Sequence, residues 1–219
     1  MNLKPSLLAA ALVLGFASAS TACSRMDDST YSEVVASKPQ VGDIVFTRIG
    51  GPLFACVATT TESWTSHVGL IVDYRKGDWV VAESGIPFVR KTALREFIGR
   101  STGGKYSIRR LRVPPTEEQK RSMLAIADAQ MGTLYSLGFD LKSQNTFCSK
   151  FVHDVVFQAT RQQVGEVETF DHLLHRNPDA PLWFWRTWFL GFIPWQRTTI
   201  TPASELGSPL LTVVAERNT

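Results

Sequence analysis

The sequence predicts an α+β domain whose mostly antiparallel sheet packs against helices, on three observations. The apolar runs Val68-Gly69-Leu70-Ile71-Val72 and Trp79-Val80-Val81-Ala82-Glu83 are joined by Asp73 to Asp78, whose charges and Gly77-Asp78 mark the turn of an antiparallel hairpin. Thr116 and Gln119, three residues apart, form a capping box ahead of Met123, Leu124 and Ala127, which predicts a helix running to about Met131. Phe151, Val152, Val155 and Val156 then fall on one face of a second helix that begins close to Cys148.

The other elements follow in chain order. Lys4, an apolar run from Leu7 to Phe16 and the small residues Ala17 to Ala22 have the order of an export signal, so residues 1–22 read as a signal peptide. Its ten apolar residues fall short of the about 20 that a spanning helix needs. Cys23 directly after Ala22 resembles the lipidated cysteine of a bacterial lipoprotein, although Ser20 stands where such signals usually carry leucine; cleavage after Ala19 is the competing reading. Either way the chain is expected to cross the inner membrane, and lipidation of Cys23 would anchor it there on the periplasmic side. Residues 23–40, with Asp27, Asp28 and Ser29, read as a polar tether, and 41–219 as a single domain.

Within that domain Ile44-Val45-Phe46 reads as a short buried strand and Pro52 to Thr61 as a small-residue helix. Cys56, in the apolar Leu53 to Ala58, reads as an unpaired structural core residue. Past the hairpin, Thr92 to Arg100 reads as a short helix and Tyr106 to Val113 as a fourth strand, ended by Pro114-Pro115. Glu168 to His175 reads as another short helix.

Composition excludes several function classes. A chain of 219 residues with 44% hydrophobic and 20% charged residues is neither disordered nor a multi-span membrane protein. A net charge of +3 gives no basis for nucleic-acid binding, and the densest cationic cluster, Arg109, Arg110 and Arg112, alternates with Ile108 and Leu111 as a solvated strand face would. No cysteines or histidines have zinc-finger spacing, so neither a metal nor a cofactor is expected.

The chemistry centres on Cys148. A thiol on the first turn of a helix meets unpaired backbone N–H groups and the positive end of the helix dipole, both of which favour the thiolate. A small buried hydrophobe among aromatic residues is the competing reading, and a partner base decides between the two. His153, five residues on, lies about 500° around the helix from Cys148 and faces elsewhere. His172 and His175 sit in a polar segment. His67, in Ser66-His67-Val68-Gly69, opens a strand, and Glu83 lies near the end of the strand expected to pair with it. A hairpin brings the start of one strand beside the end of the next, which places a base and its orienting carboxylate within reach.

The order Gly42-Asp43, Ser66-His67-Val68-Gly69, Ala82-Glu83-Ser84 and Phe147-Cys148-Ser149-Lys150-Phe151-Val152 resembles that of the circularly permuted, NlpC-type papain-like enzymes, in particular the YebB/YiiX-like branch. The resemblance runs from about Val41 to Ser204. It implies a permuted papain-like fold with Cys148 as nucleophile, His67 as general base and Glu83 as its orienting partner. Tyr135 matches a tyrosine of that branch that helps hold the oxyanion. Histidine preceding cysteine, and Phe147-Cys148-Ser149-Lys150 in place of Asp-Cys-Ser-Gly, set the chain apart from unpermuted members and from their cell-wall peptide specificity.

Three functions follow as expectations. The first is a cysteine hydrolase that cleaves a peptide or other amide bond in the cell envelope through a thioester. The second is a thiol acyltransferase or esterase acting on an acyl lipid, and the third a non-catalytic envelope binding protein. The segment Leu182 to Trp195 holds four of the six tryptophans. Their spacing cannot hide every ring on one buried stripe, so part of the segment is expected at the surface, as a wall of the route to Cys148 or a membrane-facing patch.

Overall fold

Nearly continuous apolar runs in the central strands build a sheet buried on both faces. The structure, a computed structural model, describes residues 26–218; the expected signal peptide and Cys23 lie outside them. The strands are β1 (Ile44–Thr47), β2 (His67–Arg75), β3 (Asp78–Ser84), β4 (Val89–Ala93), β5 (Tyr106–Leu111) and, after a short pair β6 (Glu168–Thr169) and β7 (Thr198–Thr199), β8 (Leu211–Arg217). Six of them form one sheet in the order β4-β3-β2-β1-β5-β8, every neighbouring pair antiparallel. The predicted hairpin is β2–β3, with Leu70 opposite Ala82.

Along β2, residues Val68, Leu70 and Val72 face one core and Ile71 the other, as a period of two requires. The first core is closed by α4 (Glu117–Ala129) and α5 (Cys148–Thr160), which place Met123 and Ala127, and Phe151, Val152, Val155 and Val156, against it. The capping box at Thr116 and Gln119 is present. The second core lies under α1 (Asp28–Ala36) and α3 (Leu94–Gly99). A third cluster, beyond the end of the sheet, unites α2 (Pro52–Thr60), α6 (Phe170–His175) and α7 (Leu182–Trp188) around Phe139, Phe147, Phe170 and Trp185. The last helix is α8 (Pro202–Leu206).

Four expectations change. Residues 28–36, placed in the polar tether, form α1, because Tyr31 and Val34 are three apart and bury together while Tyr31 bonds Asp78 and Asp28 pairs with Arg95. Thr92 and Ala93, read as the start of a helix, belong to β4, whose pairing with β3 outweighs their local pattern. The arginine cluster is paired: Arg110 grips buried Asp43 with two bonds of 2.7 Å and Arg109 meets Glu216 at 2.9 Å. Cys56, free, is only half-buried, since Leu53 and Ala58 carry the inner face of α2.

The tryptophan-rich segment divides as its spacing requires. Trp185 is buried, Trp188 and Trp195 are half-buried, and Trp183 is 72% exposed, with Leu190 and Phe192 at 86% and 85%.

Candidate active site

The site forms where β2 begins, at the end of the sheet. His67 is the first residue of β2, and the alternation that sends Ile71 to the second core puts His67 on that same face, together with Val81 and Glu83 of β3. His67 Nε2 lies 2.7 Å from Glu83 Oε2, both side chains being fully buried. The ring is held by Phe97 at 5.4 Å and by the edge of Phe54 at 6.4 Å. Gly69, next on this face, is required by close approach: a Cβ there would lie 2.5 Å from Val81 and about 3.0 Å from the Phe97 ring.

Glu83 is held from four sides. Its Oε1 accepts from Thr92 Oγ1 at 2.6 Å and from Arg100 at 2.7 Å, and Arg90 Nε stands 3.3 Å away. Burial opposes its ionisation, but the hydrogen bond and charge of His67, then Arg100 and Arg90, overcome that and hold its carboxyl well below the usual carboxylate range. Burial likewise disfavours the charged imidazole of His67, yet Cys148 and then Glu83 outweigh it and push the pKa up to about 9. The other ring nitrogen, Nδ1, is buried with no hydrogen-bond partner among the described residues, and the Cys148 thiol is near enough to the ring to raise its pKa.

Cys148 comes from the opposite side of the sheet. It is the first residue of α5, 4% exposed, and no side chain caps that helix end. Ser149 Oγ donates to the Ile200 carbonyl at 2.8 Å and fixes the first turn. The chain before the helix is stitched to neighbouring segments: Ser136 N–H and Ser84 Oγ both donate to the Thr146 carbonyl, and Tyr135 pairs with Thr146 in a parallel bridge. This brings buried Tyr135 onto Cys148. Burial and the adjacent thiol push its hydroxyl well above the ordinary tyrosine value, against the opposing effect of the nearby Cys148 backbone.

The structure therefore gathers Cys148, His67, Glu83 and Tyr135 at one place. The other histidines lie elsewhere: His153 stacks on Phe157, His172 bonds Glu168 at 2.9 Å, and His175 stacks on Trp195. Sequence reasoning missed Thr92, Arg90 and Arg100, since β4 carries no apolar run and Arg100 read as a helix end. It also missed Glu205 on α8, fully buried with neither oxygen hydrogen-bonded among the described residues. Burial, with the charges of Cys148 and Asp154, pushes that carboxyl well above its usual range.

Among the described residues no three His, Cys, Asp or Glu side chains converge as metal ligands, and the Glu83 oxygens are already taken by His67, Thr92 and Arg100. This donor set does not fit a metal ion.

Residues 38–215 match the family model described as permuted papain-like amidase enzyme, YaeF/YiiX, C92 family. The chain is 26% identical over 181 residues to the uncharacterized protein YiiX of Escherichia coli K12, covering 83% of this chain and 88% of that protein. It is also similar to the crystal structure of yiiX from Escherichia coli O157:H7, described as a metalloprotein, with a TM-score of 0.76 and 27% identity over 83% of this chain and 99% of that one. With most of its length inside that family model, on an α+β scaffold with an antiparallel sheet, the chain belongs to the YaeF/YiiX (C92) family of permuted papain-like amidases and is a papain-like cysteine hydrolase.

Proposed function

We propose that this protein cleaves an amide bond through a thioester on Cys148, with His67 and Glu83 completing the triad. The observation that carries this reading is the buried imidazole held at 2.7 Å by a carboxylate on Nε2, its Nδ1 unpaired among the described residues and the helix-start thiol close enough to raise its pKa. The Cys148 sulfur attacks the carbonyl as the thiolate, His67 holding the proton. The C–N bond breaks, the imidazolium hands that proton to the departing amine, and the acyl group stays on sulfur. Water then attacks the thioester, giving up a proton to His67 as the acid leaves and the thiol is restored. The Cys148 backbone N–H and the Tyr135 hydroxyl are the donors placed to meet the developing oxyanion. Glu83 holds the imidazole in orientation and stabilises its charged form.

A second reading, thioester formation from an ester with transfer of the acyl group, is favoured by the apolar walls around the thiol. We place the enzyme in the periplasm, anchored through a lipidated Cys23 and acting on a peptide or other amide of the envelope. Exposed Trp183, Leu190 and Phe192 suit a surface close to a membrane. Mass spectrometry of the mature N-terminus tests the anchor: a chain beginning at unmodified Ser20 would overturn it.

Turnover of an amide substrate tests the chemistry. Cys148→Ala is expected to abolish it without unfolding the protein, while Cys56→Ala keeps activity and costs about 1 kcal/mol of stability or less. A Cys148 thiol that reacts with iodoacetamide no faster than free cysteine would support the non-catalytic binding protein instead.

A further inference from the structure

Beside the sulfur of Cys148 lies a cavity of about 30 Å³ whose walls include Phe54, Val57, Phe147, Phe170, Trp185 and Ile200. By the measure that gives one water 10–15 Å³, this is room for about two waters, or for a few carbon atoms. The walls are fixed. Trp185 Nε1 donates to Thr60 Oγ1 at 2.8 Å, Phe170 meets Trp185 edge-on at 6.0 Å, and Phe139 meets Phe147 edge-on at 5.6 Å. Of the seven hydroxyls in the lining five are engaged, Thr60 by Trp185, Thr61 by the Val57 carbonyl, Ser66 by the Ile49 N–H, Ser149 by the Ile200 carbonyl and Thr201 by the Ser204 N–H, with Tyr135 and Thr199 completing the set. The lining holds no charged side chain, so a charged group placed there would be buried without an ion of opposite sign.

His67 forms no part of this lining. The leaving amine takes its proton from His67 and so departs on that side of the sulfur, which leaves the cavity to the half of the substrate that stays bound as the thioester. We infer that this cavity is the acyl-side specificity pocket and that it takes a small apolar substituent, from methyl to isopropyl, next to the scissile carbonyl. This deepens the thioester reading and rests on it. Leucyl, phenylalanyl and acidic groups are rejected, the first two because ring walls locked by edge contacts and a buried hydrogen bond do not move aside, the third because its charge stays unpaired.

The test uses the full-length chain and N-acetyl-aminoacyl chloromethyl ketones bearing alanyl, valyl, leucyl, phenylalanyl and aspartyl side chains. The thiolate displaces chloride, forming a C–S bond as the C–Cl bond breaks, and peptide mass mapping reads the modification at Cys148. The alanyl and valyl reagents are expected to label at least about tenfold faster than the phenylalanyl and aspartyl ones. Val57, half-buried in the wall, is the residue to shorten first, and Val57→Ala should shift the preference toward the leucyl reagent; Phe54→Ala, which also removes an edge contact to the His67 ring, is read by the ratio of leucyl to alanyl rates and provides the same test should that variant misfold. Rates independent of the side chain, or fastest for the large or acidic reagents, would overturn the pocket while leaving Cys148 a reactive thiol. Labelling no faster than that of free cysteine by every reagent would overturn the thioester reading, and the pocket with it.

Discussion

Glu83, itself fully buried, accepts three hydrogen bonds and faces a second, partly exposed arginine, so its charge is shared. Arg100 and Arg90 offset part of that charge, which leaves Glu83 to orient His67 more than to bind its proton. Glu83→Gln is therefore expected to lower turnover less than His67→Ala, which removes the base altogether; equal losses in initial-rate assays would count against an orienting role. The His67 proton sets the alkaline limit. With its pKa pushed up to about 9, the imidazolium needed for the leaving amine persists through neutral pH and is lost above that value. A kcat/KM profile already falling near pH 6.5 would contradict this.

At the scale of elements, β2 is the part on which the site depends. Gly69 lets Val81 and Phe97 close over the strand two residues from His67, and Phe97 is also the ring that supports the imidazole. Gly69→Ala is expected to cost about 1–3 kcal/mol by overpacking, read from urea denaturation, and to slow turnover by displacing Phe97. A variant as stable and as fast as the parent would show that the second core gives way more easily than its packing suggests. The hairpin could be read from the sequence because both strands carry long apolar runs around a charged turn. Strand β4, Val-Arg-Lys-Thr-Ala, could not, since its stability comes from pairing with β3, and β8 faces solvent at Thr212 and Val213. Helix α1 was equally hidden: nine residues with three buried side chains give too short an apolar stripe to recognise before the sheet is there to cover.

For the whole molecule, the buried titratable groups predict how stability follows pH. His67, raised from 6.5 to about 9 by folding, contributes stability that is complete below pH 6.5 and is lost as pH rises through 9. Glu83, depressed below 4.5, contributes stability that is present above pH 4.5 and lost as pH falls through its folded value. Glu205, raised above 4.5, gives up its contribution as pH climbs past that value. The signs place the maximum near pH 4.5, with a first decline above it as Glu205 ionises and a further one above 6.5 from His67. Denaturant midpoints should peak there and fall toward pH 9.5, with His67 accounting for on the order of 3 kcal/mol of the alkaline loss. His67→Ala should flatten that limb; an unchanged limb would assign the loss to other groups.

By itself the sequence determined what local physics can specify in this protein: the hairpin, the capping box at Thr116, the helix that starts at Cys148 and, through the hairpin, the nearness of His67 and Glu83. Each depends on residues a few positions apart or on one turn. Tertiary structure alone decided the rest. The cavity beside Cys148 is made by residues from Phe54 to Ile200, and the clamp on Glu83 by Thr92, Arg90 and Arg100 from a strand and a helix end that no local pattern marks. The physical reason is that close packing and the partners of a buried charge are fixed by distances between distant segments, and those distances exist only once the sheet and its two cores have closed.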